Sequence, residues 1–303
     1  MKRTLGALLA FTGLFFAISS TALGQARPTL LTGTLAPTQG DLRPAAHVTA
    51  LVRQRPILLN AAVLDQVRAA LRKAPATPVE ISVPAFEDTT LVLRITRVQK
   101  TTGGTLEFTG TVNGDDFGSA ALVVSHGLVA GTIHTNNHAY QIQATGNGQY
   151  RVQDLDRSQI QDEAGEVPVP HPLVAKAMAQ QAVPAVQMDD GSTIDLLIVY
   201  TPAARAQASP DNTADSAPIL AQIDLAVATT NLAYANSGVV QRVRLVGAQE
   251  VAYTEVGGDL SVDLGRLSNK DPNTGVAISP DGFLDNVQTL RDALGADVVS
   301  LWV

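Results

Sequence analysis

The sequence predicts an α+β protein in two parts: a β-rich meander over its first half and an α/β unit over its last third. Two observations carry this. Between residues 29 and 155, nine short runs of alternating apolar and polar residues are separated by Gly- and Asn-rich turns, the period-two pattern of strands around one core. From Thr193 onward the order becomes strand, long helix, strand, short helix, strand, which suits a parallel sheet with crossover helices. With 303 residues, 45% apolar and 16% charged, the chain is long enough for two cores of ordinary size.

The first segment is a targeting signal by its chemistry. Lys2 and Arg3 precede an apolar run from Leu5 to Ile18, and small residues follow at Ala22-Leu23-Gly24. That is the order of a secretory signal peptide, expected over residues 1–24. The run is too short to span a bilayer, and no later stretch is longer, so no membrane anchor is expected after cleavage. The expected location is extracellular or periplasmic. Loss of Lys2 and Arg3 takes the net charge from −7 to −9. No other Lys/Arg cluster exists, which argues against nucleic acid as a partner. The chain contains no cysteine, so stability must come from the core rather than from disulfides.

The strand candidates are 29–35, 47–53, 79–84, 90–99, 105–112, 119–125, 128–135, 138–145 and 149–155. Gly103-Gly104, Asn113-Gly114, Asn136-Asn137 and Gly146-Asn147-Gly148 supply the tight connections between them. One helix, 61–73, puts Val63, Val67, Ala70 and Leu71 on a common face. Residues 157–192 break the pattern with three prolines in EVPVPHP and an Ala/Gln stretch, and read as a linker.

In the second part, Ile194, Leu196, Leu197, Ile198 and Val199 form a near-continuous apolar run, as in a strand covered on both faces. The following helix has Ser216 as N-cap, Pro218 in its first turn and Gly238 at its end. Ile219, Ile223, Val227, Thr230 and Tyr234 recur at helical spacing and should face the sheet. In the next strand Val243 and Leu245 alternate with Arg242 and Arg244. A short helix from Asp259 should run through Leu260, Leu264 and Leu267, with a turn-rich loop over 269–282, a helix over 285–294 and a last strand over 297–303. That strand, apolar throughout, reads as interior.

The segments VYTPAARA (199–206), TNLAYANSGV (230–239) and LRDALGADVVSL (290–301) resemble the first half of a reprolysin-like metzincin, the bacterial peptidyl-Asp metalloendopeptidase family. Residues 118–156 resemble the pro-region of the same proteases. The resemblance implies a zymogen-type zinc endopeptidase acting on proteins or peptides, with a β-rich pro-domain at 25–156, a processing region at 157–192 and the N-terminal part of a catalytic domain at 193–303. Because that family cleaves before Asp, the Met188–Asp189 bond is a candidate self-processing site. The family's zinc helix has the pattern HExxHxxGxxH, and no HExxH occurs in these residues. The expectation is therefore a truncated chain with no catalytic and no metal-binding residues of its own, inactive as it stands, with zinc belonging to the full-length product. A non-catalytic binding or inhibitory module, or a secreted β-rich adhesion or structural protein, is the alternative.

The remaining chemistry is sparse. His134 and His138 have the i, i+4 spacing of a zinc pair, but HTNNH lacks the Glu and sits at a hairpin. Asp271 to Gly275 lacks the Gly and Glu positions of a calcium loop. Asp189-Asp190 reads as a solvated pair. Asp195 sits beside a buried run, where a carboxylate needs a partner or water. There is no nucleophile elbow, no phosphate loop, and no His after His171.

Overall fold

The computed structural model describes residues 27–34, 50–159, 193–257, 260–271, 274, 276–277 and 281–303. The expected signal peptide, residues 160–192 with Met188 and Asp189, and the expected helix start at Asp259 lie outside the described residues.

Nine antiparallel strands form the first sheet: β1 (Leu31–Thr34), β2 (Leu51–Leu59), β3 (Val79–Phe86), β4 (Thr89–Lys100), β5 (Leu106–Val112), β6 (Ser119–Ser125), β7 (Leu128–His134), β8 (His138–Gly146) and β9 (Gln149–Asp156). Their order is β1-β2-β9-β8-β7-β6-β5-β4-β3. From β3 to β9 each strand pairs with the next, as a meander should. The hairpin of β1 and β2 then adds to the free side of β9. The two outer strands come together again: Leu30 N–H donates to Ser82 O at 2.9 Å and Ser82 N–H to Pro28 O at 2.8 Å. This parallel bridge nearly closes the sheet into a barrel, which removes most exposed strand edge.

Alternate residues fill the interior, among them Ile57, Ile81, Leu93, Phe108, Leu122, Ile133, Ile142 and Val152, all at most 1% exposed. Each such side chain stabilises the fold by roughly 1.5–3 kcal/mol relative to exposure. Helix α1 (Ala62–Lys73) lies against β3 and β4 and adds Val63, Leu64, Val67 and Leu71 to the same core. Leu64 takes the place predicted for Ala70, which is half-buried. Strand β2 runs past its predicted end and through Pro56. The ladder tolerates this because β1 pairs only Ile57 to Leu59, so Pro56 needs no donor toward β1.

The second sheet has three parallel strands in the order β11-β10-β12: β10 (Thr193–Tyr200), β11 (Arg242–Glu250) and β12 (Val298–Trp302). Its helices are α2 (Pro202–Ala208), α3 (Ala217–Asn236), α4 (Leu260–Ser268) and α5 (Asp285–Leu294). Strand β10 is covered on both faces as predicted. Leu197 and Val199 pack with Val251, Leu267, Leu284 and Val287, whereas Ile198 and Tyr200 pack with Ala204, Ala208, Ile219 and Ile223. Strand β12 was expected inside the sheet, but among the described residues it pairs only with β10. Its apolar run reports two covered faces, not two paired edges: Val299 and Leu301 join one cluster and Trp302 the other.

Helix α3 holds the two layers together. Ile219 and Ile223 face the sheet, while Ala221 and Ala228 are buried against Val123 and Ala130 on the outside of the barrel. A helix buried on two sides loses the one-sided stripe of a surface helix. Its first turn is capped differently from expectation. Ser216 occupies the N-cap position without a side-chain capping bond, and Asp215 Oδ1 instead accepts from Ala217 N–H at 2.9 Å. Gly238, at φ +71°, ends the helix as predicted. In α4 the predicted face is only partly correct. Leu267 is buried, but Leu260 and Leu264 are exposed. The helix is turned by Asp263, which accepts from Tyr253 O–H and, at 3.1 Å, from Val256 N–H.

Candidate functional site at the barrel–sheet interface

The motif VYTPAARA builds the carboxyl end of β10. Tyr200 closes the strand, and Thr201 is a working N-cap for α2, its Oγ1 accepting from Ala204 N–H at 3.0 Å. Pro202 follows at the first helical position, where its missing N–H costs nothing. Thr201 O–H donates in turn to Glu255, and Arg205 Nε donates to Glu250 Oε2 at 2.5 Å. The β10–α2 corner is thus tied to the end of β11. The sequence marked this motif by resemblance alone, and Thr201, Arg205, Glu250 and Glu255 carried no chemical signal of their own.

Beside this corner, at the carboxyl end of β12, lies a cleft of about 310 Å³. One wall is Ala204, Ala208, Ile219, Gln222 and Trp302, and the other is the outer face of β8 and β9: Gln141, Gln143, Arg151 and Gln153. The barrel wall is a ladder of amides. Gln143 donates to Gln141 Oε1 at 2.9 Å, Arg151 Nη2 to Gln143 Oε1 at 3.2 Å, and Gln153 to Gln54 Oε1 at 2.8 Å. Crevices outside the carboxyl ends of strands are where open α/β sheets bind ligands. Here the barrel forms that crevice's second wall.

On the other side of α3, a larger cleft of about 470 Å³ separates β4, β5 and β11. Its inner wall carries two carboxylates. Asp224 of α3 accepts from Ser125 O–H and, at 3.0 Å, from Thr105 O–H, both on the barrel. His126 Nε2 lies 3.7 Å from the same oxygen. Glu107 of β5 is buried and accepts from Gln99 Nε2 at 2.5 Å. Burial pushes its carboxyl above the ordinary 4.5; Asp224 adds to this, while Gln99 and Arg97 oppose it.

The sequence-level candidates fall elsewhere or dissolve. Asp195 finds a partner: Arg244 donates to both its oxygens, at 2.7 and 2.6 Å. His134 stands opposite Ala139 in the β7–β8 register, so His138, one residue earlier on β8, points to the other face of the sheet. His138 Nδ1 is instead 2.6 Å from Asp154 Oδ1, a carboxylate that also accepts from Arg53 Nε at 3.0 Å. Burial, then Arg157, pushes the His134 pKa down. The two rings cannot share an ion. Among the described residues no three His, Cys, Asp or Glu side chains converge where a metal could sit, so these residues do not fit a zinc centre. Asp271 belongs to a turn in which its Oδ1 accepts from Thr274 N–H at 2.8 Å. No helix among the described residues is long and apolar enough to cross a membrane.

No family model matches the chain. A protein of Stenotrophomonas maltophilia named peptidyl-Asp metalloendopeptidase is 29% identical over 205 residues, 62% of this chain and 42% of its own length. A Xanthomonas campestris protein of the same name is 29% identical over 188 residues, 61% of this chain and 40% of its own. The Pseudomonas aeruginosa protein of that name is 34% identical over 128 residues, 42% of this chain and 17% of its own. Metalloproteinase-II from Bacteroides fragilis aligns over 64% of this chain and 58% of its own at a TM-score of 0.28 and 11% identity, too weak a likeness to bear on the fold. The chain spans about two fifths of the length of the first two relatives. These distant sequence similarities support a metallopeptidase family.

Proposed function

We propose that the chain comprises the pro-region and the N-terminal part of the catalytic domain of a secreted zinc metalloendopeptidase of the reprolysin-like metzincin type. Residues 25–156 are the pro-domain, 157–192 the processing region and 193–303 the start of the catalytic unit. Protein or peptide chains are the substrate, and the enzyme is made as a zymogen. The observation that carries this is the 29% identity over 205 residues to a peptidyl-Asp metalloendopeptidase. The amide-lined outer face of the barrel, standing over the carboxyl-end crevice of the sheet, supports a covering role for the pro-domain. Zinc belongs to the full-length product. Residues 193–303 contain neither His nor Cys, so they supply no nitrogen or sulfur ligand.

Processing gives a direct test. The mature form of the secreted enzyme is expected to begin between Pro170 and Ser192, with Met188–Asp189 the favoured bond. N-terminal sequencing reads this, and a start outside the window contradicts the placement.

A further inference from the structure

The fold assembles a basic groove that the sequence does not show. Arg68 and Arg72 lie one turn apart on α1, and Arg97 and Lys100 lie near the end of β4. All four line a groove of about 500 Å³ between that helix and that strand. Leu71, Val98 and Leu106 form its floor, packed on the barrel core beneath. Among the described residues none of the four cations makes a side-chain hydrogen bond or an ion pair; Arg97 acts at a distance on Glu107 in the neighbouring cleft. The dipole of α1 accounts for Arg72, because a cation is favoured in the last turn of a helix. It does not account for Arg97 and Lys100, which belong to a strand, in a chain whose net charge is −7. An apolar floor ringed by unpaired cations fits a partner that brings an apolar side chain flanked by carboxylates.

Such a feature stands at the other end of the barrel, in the turn between β5 and β6. Among the described residues Phe117 is the most exposed large apolar side chain, at 80%, and it follows Asp115 and Asp116. The turn is braced. Asp115 Oδ1 accepts from Phe117 N–H at 3.0 Å, and Oδ2 accepts from Asn136 N–H at 2.9 Å. A Cβ on Gly118 would lie 2.7 Å from that of Val112, so the chain closes too tightly there for a side chain. The knuckle holds Phe117 outward with little left to order on binding. It cannot reach its own groove, because β5 lies between them. Leu106 lines the groove at one end of the strand and Val112 precedes the turn at the other, roughly 20 Å away.

We infer that the Asp115-Asp116-Phe117 knuckle of one copy of this chain docks in the groove ringed by Arg68, Arg72, Arg97 and Lys100 on a second copy. Phe117 covers the floor of Leu71, Val98 and Leu106, and the two carboxylates face the cations. Knuckle and groove are different surfaces, so the contact is head-to-tail and leaves a free knuckle at one end and a free groove at the other. It is small, so association is weak. Its charges are exposed, so salt weakens it further. Nothing in this contact requires peptidase activity.

The test is sedimentation velocity on the complete chain across the micromolar range. The average mass should rise with concentration at low salt and return to that of the monomer at high salt. Phe117→Ser, and Arg72→Gln combined with Lys100→Gln, change exposed side chains, and each should weaken association roughly tenfold or more. Mixing the two variants separates this contact from any other. The first keeps its groove and the second keeps its knuckle, so together they should form a heterodimer that grows no further. A melt like that of the wild type shows that each variant is folded. If one is not, a peptide of residues 113–118 is added to the wild type instead, and should dissolve the assembly. A wild-type chain that stays monomeric throughout would overturn the inference, as would variants that associate like the wild type or an assembly that the peptide leaves intact. So would a monomeric chain whose groove takes up an unrelated acidic peptide or a polyanion, since the groove would then belong to another partner.

Discussion

Glu107 is a carboxylate on the outer face of β5 that the fold covers almost completely, leaving it 5% exposed. Burial raises its pKa first, and Asp224 across the cleft adds to the shift against Gln99 and Arg97. With the folded value above the unfolded one, the fold holds this proton more tightly than the unfolded chain does. The associated stability is complete below about pH 4.5 and is lost as pH rises through the raised value. Glu107→Gln should therefore melt a few degrees higher than wild type at pH 7 and at the same temperature at pH 4. An equal difference at both pH values would contradict the assignment. Thr201 is the other residue with a clear single role. Thr201→Ala removes the cap of α2 and the partner of Glu255, and should cost about 1–2 kcal/mol in denaturant titration. Thr201→Ser should recover most of it.

At the scale of elements, α3 explains what the sequence made legible and what it hid. Ile219, Ile223 and Val227 announce the sheet-facing side by their spacing, and the structure buries all three. The barrel-facing side mixes Ala221, Asp224, Leu225 and Ala228, small, charged and apolar residues that together make no apolar stripe. A prediction follows from this side. Ala228→Leu forces a large side chain between α3 and Val123 and Ala130, and should destabilise the chain by about 1–3 kcal/mol, read as a lowered urea midpoint. Strands β3 to β9 were legible for the opposite reason: period-two alternation and local turns specify neighbours in sequence. The pairing of β2 with β9 and the bridge of Thr29 to Ser82 join residues far apart, and no local pattern encodes them. The turn at His126-Gly127 was placed by the ends of the predicted strands 119–125 and 128–135, but its residues went unnamed because His126, at φ +50°, takes a place where Asn or Gly is the usual signal. Asn231 was missed as well. Its amide accepts from Val243 N–H at 2.8 Å and donates to Val243 O at 2.9 Å, pinning α3 to the start of β11.

At the scale of the whole molecule, the described residues form a nearly closed barrel set against a parallel three-stranded sheet, with α3 between them. Distant similarity to bacterial metalloendopeptidases supports a metallopeptidase family. The barrel stands beside the carboxyl end of β12, which is where the proposed pro-domain would cover the sheet. The most direct measurement is peptide hydrolysis by the product of the complete gene, secreted, processed and supplied with zinc, on a set of peptides with and without aspartate. Cleavage at aspartate that stops on chelation and returns with zinc is the predicted result. A folded, processed, zinc-supplied product that cleaves none of these peptides would contradict the account.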